Sequence, residues 1–120
     1  MANVASWFEI PVTDLERAQR FYSAALETSF NQGPGMEGMA FFHMEGHGVG
    51  GHLQQGQGAP SDHGVLLYLD APGGVKATLA RVESAGGKVE RPSMPIGSYG
   101  FVGTFFDSEG NRLGLHSMTE

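Results

Sequence analysis

The chain has no cysteine, which excludes disulfides and thiolate metal sites. Cationic residues are scarce: seven Lys and Arg stand against thirteen Asp and Glu, for a formal net charge of −6. That balance argues against a surface that tracks nucleic-acid phosphates. No apolar run approaches the roughly 20 residues that span a bilayer. The opening MANVASWFEIPV has neither a basic start nor a long greasy stretch, so it does not read as a secretory signal. These absences point to a cytoplasmic protein with no nucleic-acid or membrane partner. What is there is ordinary for a globular protein, 40% hydrophobic and 17% charged in 120 residues, one domain's worth of chain. Glycine is in excess: nineteen residues are about twice the usual share, so many positions need tight turns or close backbone approach.

One phrase occurs twice. FFHMEGHGVGGH runs from Phe41 to His52, and FFDSEGNRLGLH runs from Phe105 to His116. Phe41 matches Phe105, Phe42 matches Phe106, Glu45 matches Glu109, Gly46 matches Gly110, Gly50 matches Gly114 and His52 matches His116. The middle of each phrase is turn chemistry, most clearly Asp107 to Asn111 (DSEGN). Turn-making accounts for the Glu-Gly pairs but not for the closing histidines.

The order of elements also repeats. Trp7 to Val12 alternates as a strand with Phe8, Ile10 and Val12 on one face. Asp14 stands at an N-cap position, and Leu15, Ala18, Phe21, Tyr22, Ala25 and Leu26 follow at helical spacing. A turn at Gly33-Pro34-Gly35 precedes short strands around Met39–Met44 and Val49–Gln54. In the second half, Val65, Leu67 and Leu69 alternate with Gly64, Leu66 and Tyr68 as a strand. A helix with Val75, Leu79, Val82 and Ala85 on one stripe comes next, and then three strands in KVERP, GFVGTFF and NRLGLHSM. The expected fold class is therefore α+β, with two tandem βαβββ modules inside a single domain of residues 1–120. Module one covers about residues 5–55, a connector about 55–63 and module two about 64–118.

FEIPVTDLERAQRFY followed by FFDSEGNRLGLH resembles the vicinal oxygen chelate superfamily, in particular its small glyoxalase-like branch. That group includes glyoxalase I, extradiol dioxygenases, fosfomycin-resistance enzymes and bleomycin-binding proteins. The resemblance covers nearly the whole chain and implies a half-open barrel around a cavity, a homodimer and a small-molecule ligand. It also implies metal ligands on the first and last strand of each module. Those positions fall on Trp7, Gly50, Gly64 and Gly114, none of which can bind a metal through its side chain.

Residues two further along a strand face the same way. The step leads to Glu9, His52, Leu66 and His116. Glu9, His52 and His116 together would form a two-histidine, one-carboxylate set suited to a divalent metal with open positions. The other reading makes the histidines repeated residues of the cavity wall. Glu9 is then a general base or half of an ion pair. His43 and His47 lie in a turn, and HMEGH lacks the spacing of the helical zinc motif, so both read as surface histidines. Trp7, Leu66, Tyr68, Tyr99, Phe101 and Met118 are the expected substrate-binding surface, with the segment Ser93 to Phe101 as an irregular loop at the cavity mouth. Two functions fit: a glyoxalase-like lyase or isomerase with Glu9, His52 and His116 as catalytic residues, or a non-catalytic protein that sequesters a small molecule or antibiotic.

Overall fold

The computed structural model describes residues 3–33 and 35–120. Met1 and Ala2 of the opening segment and Pro34 of the expected turn lie outside the described residues. The first half runs β1 (Trp7–Val12), α1 (Leu15–Ala25), β2 (Phe30–Asn31), β3 (Met39–Phe42) and β4 (Gly50–Gln55). The second half runs β5 (Tyr68–Asp70), α2 (Val75–Ser84), β6 (Lys88–Pro95), a 3-10 turn at Gly97–Tyr99, β7 (Phe101–Phe106) and β8 (Arg112–Ser117). Two four-stranded sheets result, ordered β1-β4-β3-β2 and β5-β8-β7-β6. In each, the first and last strands of a module pair in parallel, and the remaining pairs are antiparallel. The fold is α+β, built from two βαβββ modules.

Local chemistry explains the helices. Asp14 has extended backbone and accepts a hydrogen bond from the Arg17 amide, so it caps α1 as its position suggests. Ala18, Phe21, Tyr22 and Ala25 form the buried stripe of α1, and Val75, Thr78, Leu79 and Val82 that of α2. Full burial of an aromatic side chain such as Phe21 contributes about 1.5–3 kcal/mol. The helices cover one face of the sheets, where Ile10, Val12, Ala40 and Leu53 meet Leu69, Phe105, Leu113 and Leu115 in a shared core. Strand alternation sends Trp7, Glu9, His52, Gln54, Tyr68, Asp70 and His116 to the opposite face.

The modules are held together by the turn of the second phrase. Asp107, buried, accepts from the Tyr22 hydroxyl at 2.6 Å, from Asn111 Nδ2 at 3.0 Å and from the backbone amides of Glu109 and Asn111. Asn111 Nδ2 also donates to the Pro11 carbonyl on β1 at 2.8 Å. Glu109 reaches the start of α1, accepting from the Thr13 and Asp14 amides at 2.8 Å each and from Arg17 Nε at 2.7 Å. Burial pushes the Asp107 carboxyl above its ordinary range, and it outweighs the bonds from Tyr22 and Asn111. Burial also acts on Glu109, but the donors from Arg17, Asp14, Ser108 and Thr13 prevail and hold its carboxyl at about 2. The turn is therefore a clasp between modules as well as a hairpin.

Three sequence expectations require correction. The strand expected from Gly64 begins only at Tyr68, because Gly64 has a positive φ of 102° and Val65 is 98% exposed. Phe101 packs against the helix-side core rather than the open face, since it shares the parity of buried Phe105. Its neighbour Val102 takes the open side. Ser93 to Pro95 belong to β6, whose register on β7 shifts between Arg91 and Met94, and the chain leaves the strand only for the turn at Gly97–Tyr99.

Candidate functional site

The open face of each sheet is built in two levels. At the first level, Trp7 on β1 stands opposite Gly50 on β4, as the resemblance implies. In module two the partner of Gly114 is Tyr68, not Gly64, because the start of the strand shifts by four residues. An even slide keeps the parity of every side chain, so the pattern alone did not fix the level. Rings lie close over both glycines, leaving no room for a Cβ at Gly114 and little at Gly50, where Met44 is as near as Trp7. A Cβ on Gly50 would approach Trp7 Cζ3 at 3.2 Å, and one on Gly114 would fall inside the Tyr68 ring. Each module therefore lays an aromatic ring from its first strand across a glycine of its last strand.

At the second level, Glu9 pairs with His52 and Asp70 pairs with His116 in the ladders. Leu66, the expected partner of His116, precedes β5 and has no place at this level. His52 is 6% exposed and fully engaged. Its Nδ1 accepts from Trp7 Nε1–H at 2.9 Å, which places the neutral ring's proton on Nε2. That Nε2–H lies 3.2 Å from Gln54 Oε1 and 3.2 Å from Glu9 Oε1. Phe41 stacks on the ring with centroids 5.1 Å apart. His52 in this tautomer has no lone pair left to offer a ligand, and it bonds Trp7 and lies against Glu9. The Glu9 side chain remains 46% exposed on the open face.

His116 differs. Its Nε2–H donates to the Tyr99 carbonyl at 2.6 Å, so the neutral ring's lone pair sits on Nδ1. It lines a cavity of about 480 Å³ with Tyr68, Asp70, Ile96, Tyr99 and Val102. Tyr99 is 75% exposed there. Met118 stands beside the turn, where a Cβ on Gly100 would come within 3.2 Å of its sulfur.

The residues do not fit a resident metal within one chain. Aromatic rings and glycines occupy the ligand positions implied by the resemblance, now Trp7, Gly50, Tyr68 and Gly114. For the shifted set, Glu9 and His52 are brought together, but His52 gives its acceptor nitrogen to Trp7. Among the described residues no three His, Asp or Glu side chains gather closely enough to share a metal ion, so His116 does not join Glu9 and His52. Asp70 and Val102 belong to the cavity and were missed in the sequence. The four-residue slide hid Asp70, and the parity of Phe101, had it been followed along β7, points to Val102.

This arrangement belongs to a recognised class of fold. The family model of the Glyoxalase/Bleomycin resistance protein/Dioxygenase superfamily matches residues 5–115, and the chain belongs to that family. Among solved structures, the hypothetical protein SA1046 from S. aureus is 20% identical, with a TM-score of 0.71 over 97% of this chain and 94% of that one. A glyoxalase/bleomycin resistance protein from Albidiferax ferrireducens T118 is 23% identical, with a TM-score of 0.71 over 94% and 98% of the two chains. The fosfomycin resistance protein FosX from Listeria monocytogenes is 14% identical, with a TM-score of 0.71 over 98% and 91%. At these identities the likeness is one of fold. Among curated proteins, no relative matches the chain. No helix among the described residues is long and apolar enough to cross a membrane.

Proposed function

We propose that the chain is a small-molecule-binding member of this family that holds its ligand against aromatic surfaces rather than on a metal. The observation that carries this reading is the repeated ring-on-glycine pair, Trp7 over Gly50 and Tyr68 over Gly114, at the implied ligand positions. Rings of this kind bind planar or apolar groups by stacking and contact area. The open faces also favour a homodimer in which a second copy closes over the ligand. Trp7, Tyr68, Tyr99 and Met118 are each about half exposed or more, which leaves apolar surface for a partner to cover. A cytoplasmic setting suits the cysteine-free composition.

One observation favours the catalytic reading, a glyoxalase-like lyase or isomerase. The Glu9 carboxylate is both exposed and held 3.2 Å from His52 Nε2, so it is oriented as a base should be. Two measurements separate the readings. Trp7 is the sole tryptophan, so its emission reports binding at module one. Screening small molecules against that emission should give ligands that bind wild type and Glu9→Gln alike and are recovered unchanged. A compound converted by wild type and left intact by Glu9→Gln would overturn the binding reading in favour of the enzyme.

A further inference from the structure

The cavity on module two carries a chemical signature of its own. Tyr68 and Tyr99 supply two aromatic rings, Ile96 and Val102 supply apolar wall, and Asp70 supplies the only carboxylate among the described residues that line it. Among the described residues, the Asp70 carboxylate makes no hydrogen bond or ion pair, although surface carboxylates such as Glu90 and Glu120 find Arg112 and Lys76. Among the described residues no Lys or Arg lines the cavity, and His116 is its one group that can become cationic. His116 is positioned to stiffen the wall, because its Nε2–H holds the carbonyl of Tyr99 at 2.6 Å. The turn is closed further by the Ile96 amide on the Gly100 carbonyl at 2.8 Å. The Tyr68 ring packs on the backbone of Gly114.

A cavity lined by one carboxylate and two tyrosines attracts one ligand class above others, an organic cation with an apolar body. The cation interacts favourably with the ring faces and with the unpaired negative charge, and the apolar body covers ring and aliphatic surface. We infer that the module-two cavity is a subsite for an aryl- or alkylammonium group, with Asp70 as counter-ion and Tyr68 and Tyr99 as walls. The inference rests on the small-molecule-binding reading above and names the ligand chemistry at the same face. Module one repeats the pattern in a weaker form: Glu9 beside Trp7 has the same levels, but His52 already engages its carboxylate.

The test is a titration of the full chain with benzyltrimethylammonium chloride and, separately, with neutral benzyl alcohol at matched ionic strength. Binding is read from the NMR signals of Tyr68, Tyr99 and His116. The expected result is an affinity about tenfold higher for the cation. In Asp70→Asn, whose side chain is exposed and anchors nothing, that preference should fall to about twofold or less. Equal affinity for the two probes, or a preference untouched by Asp70→Asn in a variant with an otherwise native spectrum, would overturn the cation subsite and leave the small-molecule reading standing. Failure of both probes to move any cavity signal would overturn the subsite and count against the binding reading for module two as well.

Discussion

The two copies of the repeated phrase occupy the same place in their modules and do different work. In module one the turn residues His43 and His47 are exposed, whereas their counterparts Asp107 and Asn111 are buried and bonded across to β1 and α1. At the other end of the phrase the contrast reverses. His52 is buried with both nitrogens engaged, while His116 lines an open cavity and keeps one nitrogen free of partners among the described residues. A shared sequence therefore specifies a shared backbone path, and the neighbours that each copy meets decide its chemistry. Module two uses its turn for assembly and its histidine for the cavity. Module one leaves its turn in solvent and builds its histidine into a fixed network.

The sharpest way to break this comparison is at the turns. Asp107→Ala leaves the buried Tyr22 hydroxyl, Asn111 and two backbone amides without their acceptor, and should cost about 3 kcal/mol in urea unfolding. The matching His43→Ala should lie within about 0.5 kcal/mol of wild type. Equal losses in the two variants would show that the turns are equivalent after all.

Acid unfolding should expose the same clasp. Glu109 titrates at about 2 in the fold against an ordinary value of 4.5, so its contribution is fully present above 4.5 and is lost as pH falls toward 2. Asp107 runs the other way: its raised pKa means that protonation on the way down favours the fold and offsets part of the loss. Glu109→Gln should flatten the stability profile between pH 4.5 and 2, and an unchanged slope there would remove Glu109 from the clasp.

The histidines can be separated next. Ring-nitrogen NMR should find the neutral His52 ring as the Nε2–H tautomer. Trp7→Phe removes the donor to Nδ1 and should cost about 1–2 kcal/mol, together with a shift of that nitrogen. The smallest effect belongs to Glu45→Ala in the exposed turn of module one, which should be within error of wild type in the same unfolding experiment.

Much of this was legible in the sequence. The alternation of Trp7 to Val12 and of Val49 to Gln54 showed the faces, and the family resemblance supplied the levels at which Trp7 meets Gly50 and Glu9 meets His52. In module two the run VLLYLD offered several starts with the same parity. Only the left-handed backbone at Gly64 and the packing of Leu69 selected the register that brings Tyr68 and Asp70 into place. The clasp was read as a simple turn because its meaning lies in partners far along the chain, and local turn chemistry explains DSEGN without them. The engagement of His52 was hidden for a similar reason. A Trp–His bond across parallel strands leaves no spacing signature.

The clasp also bears on the order in which the chain acquires its structure. The amides of Thr13 and Asp14, just ahead of α1, are satisfied by Glu109, which lies 96 and 95 residues further along the chain. During synthesis from the N-terminus, the first turn of α1 has its own Asp14 cap but lacks this second acceptor until nearly the whole chain has emerged. The corner between β1 and α1 thus gains its last partner only after Glu109 has been made, so module one is completed late at the end that was made first.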